Sequence, residues 1–272
     1  MIDTWFIGLK ESGYSNQTCN HILSNIRNIL GEAVRVGHIA INPATSVKPL
    51  SKESKTRGIL AEEEVRTLLH PNTWVNYWPT ITEYLANLTA ATTGLRMGEI
   101  QALRWQDLYP EVNPDRINVK HSWDRRHGIK GTKTSKDRIV PLPRLLKTQL
   151  LRFRCGAGPE AFIFSNDHGK TPINDSCLLD SLYQAFEKIG IDEKSRKERW
   201  LTFHGWRHYF NTFLRRQGVQ DSKLQMVTGH STTEMTDHYT HYNIEDMKEI
   251  MDAQSAILGP IDHTRHPKSS QP

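Results

Sequence analysis

The sequence predicts a mainly α-helical α+β protein with one small antiparallel β-sheet. Three observations carry this. Most apolar residues recur at helical intervals, so that each segment has one buried face. Two runs near the middle are β-branched in places and bounded by Asn113-Pro114, Gly128 and Pro141, the punctuation of strands. Between Lys48 and Gly58 the chain is polar, basic and poor in large apolar residues, so a short N-terminal part is set off from a long remainder.

The elements follow in order. One helix is expected around Asp3 to Glu11. In Asn20 to Val36, Ile22, Leu23, Ile26, Ile29, Leu30, Ala33 and Val34 fall on one face, and Gly37 with Asn42-Pro43 closes that helix. Residues 1–50 thus read as a short helical domain and 51–58 as a basic linker. Glu62 to Leu69 suggests a short helix with acids in its first turn, which suits the helix dipole. Trp78 to Thr93 reads as a longer helix broken at Gly94. Strands are expected over Arg116 to His121 and Ile129 to Leu142. Further helices are expected over Leu145 to Phe153, Ser176 to Ile189, His204 to Gln217, Asp221 to Val227 and Ile244 to Ile257. Residues 59–258 form the main domain in this reading, and 259–272 a disordered tail.

Composition narrows the class. The chain has 272 residues, with 35 Lys plus Arg against 30 Asp plus Glu, a formal net charge of +5. Hydrophobic residues at 37% and charged residues at 24% exclude a wholly disordered chain. No apolar run approaches the ~18 to 20 residues that a membrane span needs. The first residues, MIDTWFIGLKESG, lack the basic and apolar regions of a secretory signal. Cys19, Cys155 and Cys177 are too few and too widely spaced for a disulfide framework or a four-cysteine zinc site. Reduced thiols and a cytoplasmic location are the expectation.

The charge is concentrated. Between Asn113 and Val140 stand Arg116, Lys120, Arg125, Arg126, Lys130, Lys133, Lys136 and Arg138 against Asp115, Asp124 and Asp137. That excess equals the net charge of the whole chain. Smaller basic clusters run from Lys194 to Arg199 and from Lys48 to Arg57. With a pI near 9.0 they point to a polyanionic partner. Phosphate-cradling G-x-x-x-x-G-K-[ST] and G-x-G-x-x-G loops are absent, as is the G-x-S-x-G nucleophile turn. His204 and His208 have zinc-pair spacing, but Gly205 stands where a zinc protease needs its Glu. No cofactor and no metal are expected.

Four local patterns remain, in chain order. They are Thr93-Gly94-Leu95-Arg96-Met97-Gly98-Glu99; Thr132-Lys133-Thr134 with Arg138-Ile139-Val140-Pro141-Leu142; His204-Gly205-Trp206-Arg207-His208; and Thr228-Gly229-His230-Ser231 ending in His238-Tyr239-Thr240-His241. Taken singly they are weak. Arg96 alone reads as a surface ion-pair partner, and His204 with Arg207 as a solvated helix face. Together, with nine residues from His230 to Tyr239, they resemble the tyrosine recombinase (phage integrase) family, over roughly Ile59 to Glu249.

The resemblance implies a DNA strand transferase that works through a 3′-phosphotyrosyl intermediate. Arg96 and Arg207 match the family's phosphate-binding arginines, whose paired donors suit a pentacoordinate phosphorus. Tyr239 matches the nucleophile, with Tyr242 and Tyr209 as rivals on residue type alone. Lys133 matches the general acid for the leaving 5′-oxygen, with Lys136 or Lys130 as substitutes if the register is shifted. His204 and His230 match positions that contact the phosphate and move protons. Glu99 is a candidate buttress for Arg96. The implied partners are double-stranded DNA and other copies of the chain, as a tetramer on two duplexes, with no membrane. Residues 1–50 resemble the family's core-binding domain at about half its usual length, with two helices placed where the family has about four. Two further functions stay open: a catalytically idle DNA-binding remnant of a mobile element, and a relaxing enzyme of the type IB topoisomerase kind.

Overall fold

A computed structural model describes residues 2–51, 58–110, 114–131, 137–229 and 247–259. The chain divides into two compact units, Met1–Thr56 and Arg57–Pro272.

The first unit holds α1 (Ile2–Glu11) and α2 (Asn16–Arg35). The Ser15 hydroxyl caps α2 by accepting from the Thr18 N–H at 3.1 Å. Its core is small: Phe6, Cys19, Leu23, Ala44 and Val47. Side chains of α2 lace the returning chain over that core. Asn20 exchanges two hydrogen bonds with the Leu50 backbone, and Arg27 donates to the Ala44 and Val47 carbonyls.

The second unit is built around α4 (Ile81–Thr93), in which every residue from Thr82 to Thr93 is buried. So polar a helix is tolerated at the centre because its hydroxyls turn back on the backbone. Thr89, Thr92 and Thr93 each donate to the carbonyl four residues earlier, at 2.7, 2.7 and 2.5 Å. Helices α6 (Arg144–Phe153), α7 (Asp175–Lys188), α9 (Gly205–Arg216) and α11 (Lys248–Ser255) pack around it. Helices α3 (Glu62–Leu69) and α5 (Met97–Ala102) also contact α4, while α8 (Glu193–Glu198) packs on α7 and α10 (Asp221–Thr228) on α9. Helix α4 starts at Ile81, three residues later than its apolar spacing suggests. Thr80 caps it, and Trp78 is instead a core anchor that donates its indole N–H to the Leu68 carbonyl at 2.7 Å.

Among the described residues, two small sheets stand where the sequence predicts one. Strands β1 (Leu108–Tyr109), β2 (Arg116–Val119) and β5 (Arg138–Pro141) form an antiparallel sheet in the order β1-β2-β5. Its buried face carries Ile117, Val119 and Val140. Strands β3 (His121–Asp124) and β4 (Gly128–Gly131) form a separate antiparallel ribbon. The expected strand 116–121 is therefore divided at Lys120, and the expected strand 129–142 contributes β4 and β5 to different sheets. A β-branched run reports a propensity for extended chain and says nothing of where that chain changes partner. Helices α5 and α8 escape sequence reasoning because six residues are too few to show a period.

Candidate active site

Helix α4 ends at Gly94, whose backbone is left-handed (φ +67°). A Cβ there would also lie 2.5 Å from Cδ1 of Phe210 on α9. The turn therefore needs glycine twice over, and it delivers Arg96 to the start of α5. The Arg96 N–H donates to Oε2 of Glu99 at 2.8 Å, and its guanidinium donates to Oε1 at 2.9 Å. Two residues on, Gly98 lets α5 press against β3, since a Cβ would meet the Trp123 carbonyl oxygen at 2.6 Å.

Helix α9 brings the second arginine. The Trp206 indole donates to Oδ1 of buried Asn87 at 2.8 Å, which fixes α9 against α4. Arg207 is then 1% exposed, the opposite of a solvated helix face. Its guanidinium donates to the Gly94 carbonyl at 2.8 Å and to the Thr228 carbonyl. Its Nε has no partner among the described residues. Burial pushes the guanidinium down to about 9, with Arg96 beside it acting the same way, Glu99 opposing and Arg138 adding to the fall. It remains a cation at neutral pH. His204 stands immediately before α9, half-buried, with its ring edge-on to His208 at 4.8 Å between centroids.

A third arginine joins these two. Arg138, at the start of β5, is 8% exposed and donates to both Glu99 carboxylate oxygens from its two terminal nitrogens, at 3.0 and 2.6 Å. Burial works against the Glu99 charge, but Arg138 and Arg96 outweigh it and hold the carboxyl below its ordinary range. All three guanidinium groups converge on the carboxyl end of α10. Arg138 donates to the Val227 carbonyl at 2.8 Å, Arg207 to that of Thr228, and Arg96 to that of Gly229 at 3.4 Å. The last carbonyls of a helix lack intrahelical partners and carry its negative end, so they are natural seats for cations.

Arg96, Arg207 and His204 are thus found within one neighbourhood of the fold. Lys133, His230 and Tyr239 lie outside the described residues, as do their rivals Lys136 and Tyr242. Tyr209 and Lys130 fall among the described residues. Tyr209 is a core residue, 2% exposed and stacked on Phe213, and burial pushes its phenol well up. Lys130 sits on the exposed β3–β4 ribbon, paired with Asp124 at 2.8 Å. Arg138 has no role in the sequence reading, although a signal for one is present. In the alternation of β5 it falls on the buried face with Val140, an unusual place for an arginine without a task. Among the described residues, no three His, Cys, Asp or Glu side chains converge as a metal site requires.

Known proteins share this architecture. The tyrosine recombinase XerA of Pyrococcus furiosus is 26% identical over 258 residues, covering 92% of this chain and 78% of its own. Among solved structures, the Tn1549 transposon integrase in complex with a circular intermediate DNA superposes with a TM-score of 0.67 at 23% identity, covering 92% of this chain and 83% of that one. A lambda integrase tetramer bound to a Holliday junction gives 0.56 at 18% identity, covering 88% and 64%. The last two likenesses establish the fold. Residues 59–246 match the phage integrase family along their whole length, a stretch that includes all three arginines, the α10 terminus and the sequence from His230 to Tyr239. On that match, which takes in well over half of the chain, the protein belongs to the phage integrase family.

Proposed function

We propose that this protein is a site-specific recombinase that cuts and rejoins double-stranded DNA through Tyr239. The observation that supports this best is the buried Arg207 beside Arg96, with an Nε donor unused among the described residues. A buried cation with one such donor unused, next to a second, part-exposed one, is suited to a phosphate.

In this reading Arg96 and Arg207 bind the non-bridging oxygens of the scissile phosphate. The Tyr239 oxygen attacks phosphorus and loses its proton to a neighbouring acceptor, for which His204 and His230 are the candidates. The bond to the 5′-oxygen breaks, and Lys133 protonates that oxygen as it leaves. The 3′-phosphotyrosyl link keeps the energy of the phosphodiester, so a 5′-hydroxyl from a partner strand reseals it without ATP. Two guanidinium groups already supply fixed positive charge, so the scheme calls for no metal. Residues 1–50 would complete a DNA clamp, with 51–58 as its basic linker. A tetramer on two duplexes is the working assembly by analogy with the lambda integrase complex.

A trapping assay tests the reading. Nicked duplexes from the flanks of the encoding element are incubated with protein in EDTA and run on a denaturing gel. A covalent protein–DNA band is expected, and Tyr239→Phe should abolish it while DNA binding changes little. An adduct that persists in Tyr239→Phe removes the nucleophile assignment. Binding without any adduct favours the idle remnant, and adduct with relaxation but no strand exchange favours the topoisomerase-like reading.

A further inference from the structure

We propose that Arg138 is a positioning residue for strand transfer, holding Arg96 and the carboxyl end of α10 in one frame. The proposal rests on the recombinase reading above.

The frame is a closed ring of contacts. Arg138 donates from Nε to the Val227 carbonyl at 2.8 Å and from its two terminal nitrogens to both Glu99 oxygens. Glu99, 1% exposed, accepts in turn from the backbone and guanidinium of Arg96. Arg96 closes the ring on the Gly229 carbonyl, two residues beyond Val227. Three separate stretches of chain are locked together: the start of α5, the start of β5 and the end of α10.

The members of the ring differ in access to solvent. The Arg138 side chain is 7% exposed and that of Glu99 2%, whereas that of Arg96 is 27% exposed. Arg138 uses both its edges on the protein. Arg96 keeps further N–H donors beyond the two that its guanidinium commits to Glu99 and Gly229. The buried pair is therefore the brace, and Arg96 the group it presents. The same brace fixes the last residues of α10, and His230 follows Gly229 directly in the sequence. A planar fork is needed for this. A lysine keeps the charge but cannot span a carbonyl and both oxygens of a carboxylate.

The test compares Arg138→Lys with the unsubstituted protein in single-turnover adduct formation on nicked duplex at saturating DNA. Binding is measured in parallel, and folding by circular dichroism. Misplacing a phosphate ligand by a fraction of an ångström is expected to slow the adduct by about 10- to 100-fold. The dissociation constant should stay within about threefold, because most affinity comes from other phosphate contacts. Pairing with Arg96→Lys completes a cycle, and the double variant should lose far less than the product of the single losses. An unchanged rate, a loss that tracks DNA binding or unfolded fraction, or an additive cycle overturns the proposal. Should Arg138→Lys not fold, Glu99→Gln keeps the shape of the bridge while removing its charge, and the same criteria apply. If the unsubstituted protein binds DNA but forms no adduct, the recombinase reading fails, and the proposal with it.

Discussion

Glu99 is a single buried carboxylate between two guanidinium groups, and its charge has a consequence for stability. Its folded carboxyl titrates below the ordinary 4.5, because Arg138 and Arg96 outweigh the effect of burial. A carboxyl with a depressed folded value stabilises the fold fully above the unfolded value, and that contribution is lost as pH falls through the folded one. Acidification from about pH 6 to about pH 3 should therefore lower the urea midpoint of the unsubstituted protein more steeply than that of Glu99→Gln. Parallel slopes would mean that the pairing contributes nothing to folding. Arg207 is the contrasting case. It is buried and cationic without a carboxylate of its own, and it rests on two backbone carbonyls, which stabilise the cation without neutralising it.

The contact between α4 and α9 places Arg207, and it includes a buried polar pair, Asn87 with Trp206. Asn87 is fully buried, accepts from Trp206 and donates to the Glu83 carbonyl at 2.8 Å. Asn87→Ala should destabilise the fold by about 1 to 3 kcal/mol, since it leaves the indole N–H buried and unpaired. Chemical denaturation measures this directly; a change below about 0.5 kcal/mol would mean that the helices do not rely on the pair. At this scale the sequence is readable where periodicity is long. The apolar face of α2 shows itself over several turns, and three acids mark the first turn of α3. Arg96 and Arg207 are legible for a different reason: short motifs fix glycines and arginines at set spacing. What a sequence hides is long-range. The ring through Arg138 joins residues 89 apart, and the indole bond joins residues 119 apart. No local pattern encodes such a separation.

The whole molecule carries two cores of unequal size. Five buried residues make the first, while the second contains α4 and the helices around it. Local stability follows buried apolar contact, so amide protons of α2 should exchange through openings of lower free energy than those of α4. Hydrogen exchange followed by mass spectrometry reads both helices in one experiment, and equal protection would show that the two units unfold as one. Among the described residues, no helix is long and apolar enough to cross a membrane.

Two of the three arginines at the end of α10 lie far from it in sequence: Arg96 reaches Gly229 across 133 residues and Arg138 reaches Val227 across 89, while Arg207 reaches Thr228 across 21. A ribosome delivers residues 96 and 138 well before it delivers 229. A nascent chain that ends between residue 138 and α10 thus holds Arg96 and Arg138 but lacks the helix end that organises them. Assembly of this arginine cluster therefore waits until synthesis has reached the last quarter of the chain.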